Sequence, residues 1–398
     1  MVGGIRLAGQ RQPPSGFRFL FTLLPLMMKY TLEPDMKSLK QMMIVKDGMY
    51  NSFPSITRTG EGKLAMVFRQ ADNSLRKYGK VTHVDPSSKV ALVTSEDEGA
   101  TWSPVRVIYD DEMGEQDPCL TCLSDGTLIC TFFRWRVVPI EDKHLLGEPF
   151  KYYGRIVFDR WAAVHVGTVC IRSQDQGKTW EGPFKLEPTG FEGPAAMRGA
   201  IVELPDGRLL APLYGTKKLG EMSRCLIVAS KDQGRTWYPQ GEIPGKEGHH
   251  FLEPFLYKAP SGRLDIFMRT QLDFFKLPFD QTYLNLHVSS SLDEGATWTT
   301  PEPTPLFCPN PVHVLPIDDG HVLVSFGQRK DPKGIEALIS NSETPVLRDA
   351  DRVMVRPAVD GDLGYTSAVR LHDGTALVVY YMTDADQEAC IGATKVGL

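Results

Sequence analysis

One octapeptide recurs four times along the 398 residues and constrains the chain more than any other feature: Ser-x-Asp-x-Gly-x-Thr-Trp. The copies run from Ser95 to Trp102, Ser173 to Trp180, Ser230 to Trp237 and Ser291 to Trp298. A short apolar run precedes each, at Val90–Val93, Thr168–Ile171, Cys225–Ala229 and Leu286–Val288. The pattern is that of a strand entering a tight turn. The Asp carboxylate can accept turn amides, Gly permits positive φ, and Trp can fold back over the hairpin. These aspartates are therefore expected to staple the fold, not to act as catalysts or calcium ligands.

A second repeat alternates with the first: two apolar runs joined by a short Gly-containing turn. It occurs at Phe53–Phe68, Pro118–Cys130, Gly199–Leu210, Pro254–Leu264, Pro311–Leu323 and Thr366–Leu377, mostly around Asp-Gly. Such turns between apolar runs signal hairpins. Six hairpins, most followed by an octapeptide hairpin, make six four-stranded units. Strands apolar on both faces belong to sheets covered on both sides, as when blades stack around an axis. The expected fold is all-β, a six-bladed β-propeller of four-stranded antiparallel blades over residues 41–398. The fifth unit carries a degenerate octapeptide at Ser340-Asn-Ser-Glu343, and the sixth ends in Cys390–Val396. A strand near Lys40–Val45 is expected to join that last blade and close the ring.

Composition narrows the class. Apolar residues form 42% and charged residues 23%, enough apolar material for a sizeable core in a soluble protein. A net charge of −5 without a long basic run speaks against nucleic acid as a partner. Of the seven cysteines, five lie in or beside apolar strand runs, so no disulfide framework is expected and a reducing compartment is favoured. Cys119-x-x-Cys122 has no second Cys or His pair nearby, which argues against zinc. Residues 1–40 form an N-terminal extension. There, Arg6, Arg11 and Arg18 precede an apolar stretch at 19–28 of export-signal length, but Lys29-Tyr30 replace a small-x-small cleavage site. The run is too short to span a bilayer, so no stable membrane insertion is expected and localisation stays open.

In a propeller the inner strands ring the axis, and side chains at their ends converge from distant positions. The inner-strand starts offer Ser52, Asp117, Arg198, Glu253, His313 and Tyr365; the hairpin ends offer Arg69, Arg134, Arg269 and Arg329. Four arginines crowded at strand ends need an anionic partner: a ligand carboxylate gripped bidentately, or internal acids.

The chain resembles the sialidase (neuraminidase) family, whose hallmark is this Asp-box, or BNR, repeat on a six-bladed propeller. His250-Phe-Leu-Glu253-Pro, with Phe267-Met-Arg269-Thr downstream, looks like the family's catalytic-glutamate strand and second triad arginine. Gln328-Arg329-Lys resembles the segment of the third arginine, and Gly364-Tyr365-Thr with Val379-Tyr-Tyr381 resembles the nucleophilic tyrosine segment. The family's Arg-Ile-Pro motif is missing; Ser52-Phe53-Pro54 stands there, and Arg69 is a candidate to complete the clamp. The acid/base residue is expected between Arg69 and the first Asp box. His83-Val-Asp85 is the best segment, with Asp85 the choice and Asp72 behind it.

The resemblance implies an exo-acting glycoside hydrolase that releases sialic acid or a related carboxylated sugar from a glycan. Tyr365 would attack, Glu253 would take its proton and Asp85 would protonate the leaving oxygen, with no metal or cofactor. Arg269, Arg329, Arg69, Arg198, Arg134, His250 and His313 would contact substrate. Two other readings stay open: a uronate-specific propeller lyase or hydrolase using His249, His250 or His313 as base, and a non-catalytic carbohydrate-binding propeller. Tyr152-Tyr153 and Trp161, in a second-blade insertion at about 137–167, would form a sugar platform or simply pack that insertion down.

Overall fold

The computed structural model describes residues 36–398, apart from 274–275 and 279–280. The apolar run at 19–28 lies outside the described residues. Six antiparallel sheets follow one another along the chain. Blade 1 holds Tyr50–Arg58, Leu64–Ala71, Lys89–Ser95 and Arg106–Tyr109. Blade 2 holds Gly114–Cys122, Leu128–Pro139, Trp161–Ser173 and Glu181–Lys185, with Gly154–Val157 added on its insertion. Blade 3 begins at Ala196–Met197 and ends at Tyr238–Glu242. Blade 4 spans His249–Lys258 to Glu302–Phe307, and blade 5 spans His313–Pro316 to Val353–Pro357.

Blade 6 is assembled from both ends of the described chain. Leu363–Arg370, Ala376–Thr383 and Ala389–Gly397 are joined by Lys37–Val45, which pairs antiparallel with Ala389–Gly397. The ring therefore closes as the apolar segment near Lys40–Val45 predicts, with the strand starting at Lys37. Among the described residues helix is confined to short pieces such as Ser74–Tyr78 and Pro149–Tyr153. Among the described residues no helix is long and apolar enough to cross a membrane.

Blades pack face to face, which explains strands without polar alternation. Leu64–Ala71 is buried at every position, and so is Ala376–Thr383. Leu64, Met66 and Phe68 of blade 1 share one cluster with Leu377, Val379 and Tyr381 of blade 6. All seven cysteines are free thiols.

The four octapeptides share one geometry. In each, the Ser hydroxyl donates to the Asp carboxylate at 2.8–2.9 Å. The Thr amide and hydroxyl donate to the same carboxylate. The Trp indole N–H closes on the Gly carbonyl at 2.9–3.2 Å. Both carboxylate oxygens are thus committed to the turn, as a staple requires. The residue before each glycine also has positive φ: Glu98, Gln176, Gln233 and Glu294 lie between 57° and 64°. Two successive left-handed residues turn the chain back on itself.

Candidate active site

The inner strands of four blades carry an equivalent bulge, each placing one side chain toward the axis. Counting back six residues from the amide that closes each hairpin turn, at Thr59, Leu123, Leu204, Ala259, Ile317 and Leu371, gives equivalent positions. They are Phe53, Asp117, Arg198, Glu253, Pro311 and Tyr365. At four of them the ladder register slips, and the residue takes positive φ: Phe53 55°, Asp117 52°, Glu253 45°, Tyr365 49°. Non-glycine residues avoid this region, so four at one level of the ring mark strain held by the surrounding fold, as is common at functional sites. Proline follows Phe53, Asp117 and Glu253, where a slipped ladder needs no N–H. Two expected ring positions are corrected by this count. Phe53 replaces Ser52, and Pro311 replaces His313.

Above the bulges lies a cavity of about 520 Å³ lined by His83, Trp135, Tyr214, Glu253, Arg269, Arg329 and Tyr365, among others. The Tyr365 hydroxyl donates to Glu253 Oε1 at 2.6 Å, and Arg269 Nη1 donates to Glu253 Oε2 at 2.8 Å. Burial alone would raise the Glu253 carboxyl; Arg269 and the Tyr365 hydroxyl outweigh it and hold the group below the usual range. Burial and the Glu253 charge push the Tyr365 phenol well up, so it rests neutral. Two guanidinium groups flank its ring: Arg198 at 5.2 Å and Arg329 at 5.7 Å from the centroid.

A second carboxylate organises the wall. Asp362 accepts from the hydroxyls of Tyr50 (2.7 Å), Tyr381 (3.0 Å) and Thr383 (3.1 Å), and His83 Nε2 lies 3.4 Å away. Burial opposes its charge, but His83 and these donors hold it well below the carboxylate range. Arg329 Nη2 donates to Tyr381 at 3.1 Å and, with Nε, to the Leu363 carbonyl. Burial lowers the His83 imidazole below its ordinary value, with Asp362 pulling the other way.

Of the four clamp arginines, Arg269 and Arg329 line this cavity. Arg69 faces Ser52 as Arg269 faces Leu252, but it is 0% exposed and stands 5.5 Å from the Tyr50 ring. None of its guanidinium nitrogens has a protein partner among the described residues. Arg134 is a correction. Phe133 occupies its blade's equivalent position, opposite Gln116, so Arg134 falls one residue on, points to the other face and pairs with Asp111 at 3.0 Å. Arg198 is another. It donates to the carbonyls of Pro54 (3.1 Å) and Tyr365 (3.0 Å), with Pro118 at 3.4 Å, tying blades 1, 2 and 6 to blade 3.

The remaining expectations separate in the same way. Asp85 is buried, and its Oδ1 accepts both the amide and hydroxyl of Ser87, so it braces its own turn; His83, two residues earlier, reaches the cavity instead. Asp72 pairs with Lys77 at the surface. His250 accepts the Ser223 amide and does not line the cavity. His313 packs against Phe255 and lines a separate cavity of about 500 Å³ on the hairpin side of the bulges, where burial and Arg198 lower it to about 4. Asp117 is buried, with no partner for its Oδ1 among the described residues; burial raises its carboxyl to about 7 despite Arg198.

The family model for the BNR repeat-like domain matches residues 152–378. The chain belongs to that family. A protein of unknown function from Dyadobacter fermentans is 29% identical, with a TM-score of 0.80 over 92% of this chain and 100% of that one. The NanB sialidase of Streptococcus pneumoniae is 15% identical, with a TM-score of 0.61 over 89% of this chain and 70% of that one. An α-L-arabinanase of Penicillium chrysogenum, solved with arabinobiose, is 14% identical, with a TM-score of 0.61 over 90% and 98%. At such identities the sialidase and arabinanase likenesses are likenesses of fold. This BNR-family propeller shares its six-bladed frame with both kinds of structure.

Proposed function

We propose that the protein is an exo-acting glycoside hydrolase of sialidase type, removing a terminal sialic acid or related carboxylated sugar from a glycan with retention. The observation that carries this reading is the 2.6 Å bond from Tyr365 to Glu253 inside a cavity walled by Arg269 and Arg329. A sugar with a carboxylate on its anomeric carbon repels a carboxylate nucleophile; a neutral phenol beside an ionised glutamate avoids that repulsion. Arg269 and Arg329 supply the positive field for the sugar carboxylate.

In the first displacement the Tyr365 oxygen bonds to the anomeric carbon and its proton passes to Glu253. The glycosidic C–O bond breaks, and the leaving oxygen takes a proton from His83, which replaces Asp85 in this role because it lines the cavity. Asp362 steadies the imidazolium. In the second, water gives a proton to His83 and attacks the anomeric carbon. The tyrosyl–carbon bond breaks and Tyr365 recovers its proton from Glu253. The lyase reading built on His249, His250 and His313 loses support, since none of the three lines this cavity.

A turnover screen across fluorogenic acidic glycosides tests the reading, together with a 3-fluoro sialyl fluoride that slows breakdown of the glycosyl-enzyme. The expected result is one added sugar mass on Tyr365 and, in Tyr365→Phe, retained binding with turnover lost by orders of magnitude. Near-normal turnover by Tyr365→Phe would sink it. An unsaturated, ultraviolet-absorbing product would indicate a lyase, and binding without turnover a carbohydrate-binding propeller.

A further inference from the structure

A larger cleft, of about 990 Å³, lies between the blade 2 insertion and the segment 185–195 that leads into blade 3. His165 and Pro194 line both this cleft and the Tyr365 cavity, so the two share a wall. The Nε2 atom of His165 is buried and has no protein partner among the described residues. Tyr153 and Phe191, both half-buried, offer aromatic surface, and Leu146 and Val164 add apolar lining. Gly193 lets the wall close: a Cβ there would stand 2.9 Å from the Tyr153 ring.

We infer that this cleft is a binding groove for the neutral sugar residues attached to the acidic sugar held beside Tyr365. The inference rests on the proposed function for its link to the reaction. A leaving group must run outward from the anomeric carbon, and this cleft is the adjoining space. Its lining charges cancel in number: Arg136 and Lys185 against Glu187 and Glu192, all exposed. With no net sign to attract an ion, the groove suits hydroxyl-rich, uncharged rings whose apolar faces lie on aromatic side chains. The sequence offers Tyr152-Tyr153 and Trp161 as a platform, and the structure divides them. Tyr153 lines the cleft, Tyr152 is exposed outside it, and Trp161 packs against Tyr78.

The test measures binding without turnover. Saturation-transfer NMR and calorimetry with lactose, N-acetyllactosamine and cellobiose are run on the full chain and on Tyr153→Ala, Phe191→Ala and Tyr152→Ala. At least one disaccharide is expected to bind, with affinity falling about tenfold or more in the first two variants and staying within about twofold in Tyr152→Ala. Thermal melting identifies a variant that fails to fold, and the other groove variant then decides. Binding by none of the disaccharides, or equal binding by both groove variants, overturns the inference. Disaccharide binding in a protein that turns over no acidic glycoside leaves the groove standing and removes the catalytic reading.

Discussion

Arg198 reaches across the axis and donates to the main-chain oxygen of Tyr365 at 3.0 Å. The same guanidinium holds the Pro54 carbonyl at 3.1 Å and stands over the Tyr365 ring. One buried fork thus fixes the height of the proposed nucleophile against three blades. Arg198→Lys keeps the charge but loses the fork. The expected outcome is a kcat lowered about tenfold or more with KM within about twofold, because the sugar carboxylate is held elsewhere. Steady-state kinetics on an acidic glycoside check this. A raised KM with unchanged kcat would make Arg198 a substrate contact after all.

His83 gives a prediction in pH. A general acid must be protonated to act, and burial lowers the His83 imidazole below its ordinary 6.5. The alkaline limb of kcat/KM should therefore fall below pH 6.5. His83→Asn should cost about 100-fold or more on a glycoside with an alkyl leaving group and far less on an activated aryl one, which needs little protonation. Equal losses on the two would remove His83 from proton transfer.

Asp117 links the axis to stability. Its carboxyl is raised from 3.8 to about 7, chiefly by burial. The native state therefore binds a proton that the unfolded chain releases, and stability from this group is full below pH 4 and lost as pH rises through 7. Asp117→Asn has no such loss. Relative to wild type, the variant should gain stability between pH 4 and pH 8.5, by at most about 4 kcal/mol for a shift of roughly three units. Urea unfolding at the two pH values measures it. A difference independent of pH would show that Asp117 is ionised throughout.

The octapeptide tryptophans should differ from one another. Trp237 is 4% exposed, whereas Trp102 is only half-buried. Trp237→Ala should cost about 3–5 kcal/mol and Trp102→Ala about half that, while the folded fraction keeps its substrate affinity. Chemical denaturation with a binding assay on the same samples decides the point. A Trp237→Ala protein of normal stability but without activity would make the turn functional.

The fold was legible because its instructions repeat. The turns around Asp97, Asp175, Asp232 and Asp293 need the same residues four times, and the six Gly-containing hairpins that alternate with them count the blades. That Glu253, Arg269 and Tyr365 converge was legible, because each stands at the start or end of an inner hairpin strand. The site was not legible where a single-residue slip decides which way a side chain points. The bulge puts Phe53 on the axis instead of Ser52, and period-two alternation turns Arg134 outward to Asp111. Loop residues escaped for another reason. His83 and Asp85 lie on one loop segment, and only its path, held by Asp85 on Ser87, shows which of them enters the cavity. Asp362 gave no signal of its own, since its partners Tyr50, His83, Tyr381 and Thr383 are scattered over the sequence.

The pairing of Lys37–Val45 with Ala389–Gly397 sets an order on biosynthesis. Until the last of these strands has left the ribosome, the nascent chain is an open arc with an unpaired edge at each end. Such edges invite association with other chains. Glu253 and Tyr365 are placed together only by the closed circle, so a shortened chain ending before residue 389 would be an aggregation hazard, not a weaker version of the protein.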